Sequence, residues 1–135
     1  MSGFLYENGG PSPSKGLSPR EVVRLQLDAL GHNAELGDDS GIAAAFRFAS
    51  PANRAVTGPL ERFAGMLKNS LYRPMLDHVS AEFGPVQLEG EVARVQVVLF
   101  GRSGEVAAYD FTLSKDGDTG CWLTDGVMLA PVEMA

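Results

Sequence analysis

Between Val92 and Ser114 the chain reads VARVQVVLFGRSGEVAAYDFTLS, and the second half of that stretch decides the fold. Ala107, Tyr109, Phe111 and Leu113 share one parity, while Val106, Ala108, Asp110 and Thr112 share the other. Successive strand side chains point to opposite faces, so Val106–Ser114 reads as a strand with its aromatic side toward a core. Val92–Phe100 reads as its neighbour across a turn carrying Gly101 and Gly104. Working outward, strand signals recur near Asp77–Phe83 and Cys121–Leu129. Gly84-Pro85 with Gly90 separates the first pair of strands. Asp116-Gly117-Asp118, a hairpin cue, separates the last.

Upstream the period is helical. Ser18-Pro19-Arg20-Glu21 is a helix start: Ser18 caps a free N–H, Pro19 suits the first position and Glu21 completes a capping box. Val22, Val23, Gln26, Leu27 and Leu30 then give a mainly apolar face, and polar residues 31–39 end the helix. A second helix is expected from Gly41 to Ala49, capped by Asp39 or Ser40 and stopped by Ser50-Pro51. Asn53–Gly58 reads as a loop. Gly58-Pro59 launches a third helix to about Asn69, with Leu60, Phe63, Met66 and Leu67 inward. Helices first and strands afterwards predict an α+β domain. Its N-terminal helices should cover one face of a curved antiparallel sheet of about four strands and enclose a pocket. Residues 1–17 have the Gly/Ser/Pro composition of a flexible arm, and 18–135 form the single domain. Phe4, Leu5 and Tyr6 make a small apolar cluster on that arm, which either docks on a partner, folds back, or is an unused tail.

An apolar fraction of 44% with 21% charged residues suits a soluble globular domain. No apolar run approaches the roughly 18 residues of a bilayer span, although peripheral membrane association stays open. No signal-peptide pattern occurs, and Met1–Leu17 carries Glu7 and a single basic residue, Lys15, unlike a transit peptide. A plastid destination would therefore need a targeting segment outside this sequence. The net charge of −6 argues against general nucleic-acid binding. That charge is segregated: between Gly41 and Leu76, Arg47, Arg54, Arg62, Lys68 and Arg73 face Glu61 alone. Either this basic layer meets an acidic partner or anionic ligand, or it is an ordinary solvated helix surface.

Three stretches carry a resemblance: Ser18–Leu30 (SPREVVRLQLDAL), Phe46–Tyr72 (FRFASPANRAVTGPLERFAGMLKNSLY) and Cys121–Val127 (CWLTDGV). Together they resemble an uncharacterised domain family with bacterial forms and closer plastid forms in plants and algae. That family is similar to the cystatin-like, nuclear-transport-factor-2-like superfamily of α+β cones. The superfamily includes ketosteroid isomerases and polyketide cyclases, and also many non-catalytic binding domains. The resemblance implies a plastid compartment; without it the expectation is cytoplasmic. Most of the shared residues are packing or punctuation. Arg54 and Arg62 are not needed for packing, so each is either a structural ion pair or a binding contact.

In such a cone, chemistry would need a buried carboxylate or His on the concave face. The candidates are His78, Asp110 and Asp125. Alternation turns Asp110 away from the core, and adjacent Asp77 and His78 would point to opposite sides of a strand. Asp125 shares the parity of Cys121, Leu123 and Val127, which makes it the best candidate for a perturbed acid. Trp122 is a further pocket candidate. His32 and His78 lack zinc spacing, and a lone Cys121 excludes an internal disulfide. Asp116–Gly120 is similar to the start of a calcium loop, but Val127 stands where the bidentate Glu is required, and a hairpin turn explains the stretch. Phosphate loop, dinucleotide fingerprint and nucleophile elbow are all missing.

The expectation is therefore a non-enzymatic, protein-binding accessory domain, a peripheral subunit or assembly factor of a larger complex in a photosynthetic cell. It names no catalytic residue, metal or cofactor. The binding residues would be Phe4, Tyr6, Arg54, Arg62 and Arg73, with His78, Asp125 and Trp122 as pocket candidates. The alternative is a small-molecule pocket protein or an isomerase- or cyclase-type enzyme. A homodimer through the open sheet face is the third reading.

Overall fold

A computed structural model of the chain describes residues 10–132. Among the described residues five helices come first: α1 Pro19–Gly31, α2 Asn33–Leu36, α3 Ser40–Phe46, α4 Pro51–Thr57 and α5 Leu60–Leu67. After a 3-10 turn at Arg73–Met75 come four strands: β1 Ser80–Glu89, β2 Val92–Phe100, β3 Val106–Lys115 and β4 Trp122–Ala130. They pair antiparallel in chain order, β1-β2-β3-β4. The fold class is α+β, as the order of signals predicts.

The helix starts follow from local chemistry. Ser18 Oγ accepts from Glu21 N at 3.2 Å, and the Glu21 carboxylate accepts from Ser18 N at 2.8 Å. Two otherwise orphan donors are thereby satisfied. These hydrogen bonds to Ser18 backbone and side chain hold the Glu21 pKa below its ordinary value. The buried face of α1 packs on α3 and on β2 and β4. Close approach of α1 and α3 depends on Gly41, since a Cβ there would collide with the Ala29 carbonyl.

One sheet face is core. Ala93, Val95, Val97 and Leu99 of β2 and Tyr109, Phe111 and Leu113 of β3 are all at most 2% exposed. They pack with Val22, Val23, Leu27, Ile42 and Phe48 from the helical side. Asp110 lies on the opposite face, 3.5 Å from Arg94.

Several boundaries depart from expectation, each for a physical reason. Asn53–Gly58 is not a loop: Pro51–Thr57 is helical, with Ser50 as N-cap accepting from Asn53 N at 3.2 Å. Ser50-Pro51 therefore starts a helix with the same signal as Ser18-Pro19 and does not stop the one before. The helix expected over Gly41–Ala49 ends at Phe46, and Asp39 precedes it in a left-handed conformation without a side-chain cap. Residues 33–36 form an additional turn of helix. On α5, Leu67 is buried, Phe63 and Met66 are half-buried, and Leu60 faces outward. Gly84-Pro85 does not break the strand. β1 runs through it as a bulge against β2, which an edge strand tolerates, and the turn falls on Gly90-Glu91. Asp77 and His78 precede β1 rather than lying within it. Between β3 and β4 the positive φ falls on Gly120, not Gly117, and Asp116 ties the longer turn by accepting from Thr119.

Candidate functional site

The site grows from one polar position in an apolar stripe. Gln26 sits on the buried face of α1 and is 5% exposed, so its amide must be satisfied internally. Gln26 Nε2 donates to Ala45 O at 3.0 Å, and Gln26 Oε1 accepts from Thr124 Oγ1 at 2.6 Å. α1, α3 and β4 are pinned together by these two bonds.

β4 contains a second bulge. Thr112 pairs with Gly126 but Leu113 pairs with Thr124, so Asp125 is the extra residue. Thr124 and Trp122 therefore face the core together with Val127, and Leu123 lies opposite. The simple parity that grouped Asp125 with Cys121 and Leu123 does not survive the bulge. Beside it, Thr124 O accepts from Ser50 N at 2.8 Å and from Asn53 Nδ2 at 3.0 Å. Thr124 N donates to Phe48 O at 2.7 Å. This short parallel bridge hangs α4 over the end of the sheet. α5 follows, with Phe63 against Phe46 at 4.7 Å between ring centroids. Tyr72 OH then donates to Val127 O at 3.1 Å and Tyr109 OH to Leu71 O at 2.8 Å, which fastens the segment after α5 to the sheet. Burial, with a smaller contribution from neighbouring Tyr72, pushes the Tyr109 pKa up to about 12.

Under α4 and α5 these contacts leave a cavity of about 450 Å³, a size suited to a small organic molecule. Its wall is mainly apolar: Leu30, Ala45, Ala49, Phe63, Met66, Met75, Phe111 and Val127. Polar groups come from Gln26, Asn53, Thr57, Tyr72, Thr124 and Asp125. Only Asp125 and Tyr72 among the lining residues are ionisable. The Tyr72 hydroxyl is committed to Val127 O, which leaves Asp125 as the one carboxylate of the wall.

The sequence candidates are dispersed. Phe4 and Tyr6 lie outside the described residues. Arg54 is occupied structurally: its guanidinium donates to Ala49 O at 3.1 Å and Arg47 O at 2.9 Å, and lies over the Phe46 ring. Arg62 and Arg73 are exposed, and their side chains make no hydrogen bond or ion pair with the described residues. Of the remaining basic layer, Arg47 holds the carbonyls of Gly10 and Pro11, and Lys68 pairs with Asp39 at 2.8 Å. That contact, followed by the Asn33 hydrogen bond, lowers the Asp39 pKa. Asp125 lines the cavity. Trp122 is buried in the core with the Lys115 ammonium over its ring, and does not line it. His78 lies elsewhere, its Nδ1 at 2.7 Å from Met75 O, in a wider groove of about 940 Å³ with charged and polar walls. The sequence carries no mark of a site at Asn53, Tyr72 or Thr124. Gln26 alone carried a signal, as the one amide on an apolar helical face.

The profile of a family described as a domain of unknown function (DUF4864) matches residues 15–135. The chain belongs to that family. Neither the curated proteins nor the solved structures provide a match. No helix among the described residues is long and apolar enough to cross a membrane.

Proposed function

We propose that this DUF4864 domain is a non-enzymatic accessory domain that works by binding, and that the cavity under α4 and α5 receives a small apolar molecule. The single observation behind the reading is the open, apolar-walled space of about 450 Å³ held apart by hydrogen bonds instead of being filled by side chains. Tyr72, the ionisable wall group besides Asp125, spends its hydroxyl proton on Val127 O, which favours binding over isomerase- or cyclase-type chemistry. On the resemblance, the fold is a cystatin-like cone and the setting a plastid, where the domain would serve a larger complex as a peripheral subunit or assembly factor. A protein partner belongs to that same reading.

Isothermal titration with neutral indole tests it. Saturable binding to the wild-type protein is expected, weakened at least about tenfold by Ala52→Phe, which places a ring at the cavity lip. No saturable binding, or equal affinity in the variant, refutes the cavity as the receptor.

A homodimer through the outer sheet face is a second reading, favoured by Met128 at 72% exposure and Val106 at 46% on that face. Sedimentation equilibrium tests it: a dimer that Met128→Glu dissociates supports it, and a monomer at all concentrations eliminates it.

A further inference from the structure

The cavity wall is unbalanced in its hydrogen-bonding capacity. Its three hydroxyls all donate inward. Thr124 Oγ1 bonds Gln26 Oε1 at 2.6 Å, Thr57 Oγ1 bonds Asn53 O at 2.9 Å, and Tyr72 OH bonds Val127 O at 3.1 Å. Each wall amide also has a donor committed, Gln26 to Ala45 O and Asn53 to Thr124 O. Each amide keeps its second N–H, so the strongest uncommitted polar group of the wall is the Asp125 carboxylate. Asp125 is half-buried, and its carboxylate makes no hydrogen bond or ion pair with the described residues.

Four carboxylates elsewhere in the fold are engaged. Asp39 pairs with Lys68, Asp110 faces Arg94, Asp77 accepts from Ala34 N, and Asp116 accepts from Thr119. Asp125 has been placed by the bulge at the edge of an apolar hollow with no cation among the lining residues. A partly desolvated carboxylate there repels anions and attracts a donor or a positive charge. The chain's net charge of −6 has the same sign. Phe63, Phe111 and Tyr72 add π-faces in the same wall, which favour an ammonium further.

We infer that the cavity is selective for an organic cation, a protonated amine carried on a compact apolar body, with the Asp125 carboxylate receiving the ammonium. This rests on the reading of the cavity as a receptor for apolar molecules and narrows its ligand class. The apolar body occupies the space beside Phe63, Met66 and Val127. The amine gives the one carboxylate of the wall a counter-charge, and the lining residues include no cation for a carboxylate or phosphate ligand.

Three compounds sharing one ring separate the two levels of the argument: tryptamine, neutral 3-methylindole and indole-3-propionate, titrated at pH 7 by calorimetry with NMR mapping. Tryptamine should bind about tenfold tighter than 3-methylindole, as expected for one charge-assisted hydrogen bond, and indole-3-propionate weakest. Asp125→Asn should bring tryptamine and 3-methylindole to within about twofold of each other, without loss of 3-methylindole affinity. Added salt should weaken tryptamine alone. Equal affinities of tryptamine and 3-methylindole for the wild type, or a preference that survives Asp125→Asn, overturn the inference while leaving the cavity reading intact. Failure of all three to bind removes both. Retained binding of 3-methylindole by Asp125→Asn also shows that the variant is folded.

Discussion

The two ends of the helix–sheet interface are built differently. Beneath α1 and α3 the space is filled: Val22, Val23, Leu27, Ile42, Val95, Val97, Leu99 and Leu113 are all at most 2% exposed. Beneath α4 and α5 it is not. α4 buries no residue fully and α5 buries only Leu67. At the first end, close packing holds the helices to the sheet. At the second, hydrogen bonds from Ser50, Asn53 and Tyr72 to strand carbonyls do so, and a hollow remains between them. Attaching a lid through its polar groups allows it to be held without being packed. That is how one sheet face carries both a core and a cavity.

The largest break in this comparison should come from the filled end. Gly41→Val drives side-chain atoms into the Ala29 carbonyl and should cost about 3 kcal/mol in chemical denaturation. The seam between the two ends comes next. Thr124→Val leaves Gln26 Oε1 buried without its donor, for a loss of about 2 kcal/mol. Combining it with Gln26→Leu should recover part of that loss, and a double-mutant cycle measures the coupling. A coupling of zero would mean that the pair does not pin α1 to β4.

At the open end the effects should be smaller and local. Ser50→Ala removes the α4 cap, at about 1 kcal/mol. Amide exchange should accelerate over Pro51–Thr57 while β2 and β3 stay protected; uniform acceleration would show that the lid and the core open together. The last effect is silent at neutral pH. Tyr109 has its folded pKa raised to about 12 from an ordinary 10, so its contribution is complete below pH 10. It is lost as pH rises from 10 through 12. Tyr109→Phe should flatten that alkaline limb, and an unchanged limb would assign it elsewhere.

Much of the architecture was legible. The parity of Ala107, Tyr109, Phe111 and Leu113 identified the core face, the β2 bounds match, and Ser18–Glu21 marked the start of α1. The misses share a cause. A one-residue bulge is invisible to composition and parity alike: Gly84-Pro85 has the composition of a turn and Asp125 the parity of Leu123, yet each lies within a continuous bulged strand. α4 is a seven-residue helix that buries nothing, so it left no apolar period to find, only the Ser-Pro start that was read as a stop. The cavity was less legible still. It arises where side chains fail to meet, and its polar wall draws on residues 98 positions apart, Gln26 and Thr124. Periodicity reports on neighbours in the chain and carries no record of such pairs.

Diffraction from a crystal held under xenon pressure tests the contrast most directly, because xenon enters dry apolar space and little else. A xenon peak among Phe63, Met66 and Val127, with none between α1 and the sheet, is the predicted result. Side chains occupying that space, or xenon at the filled end instead, would contradict it.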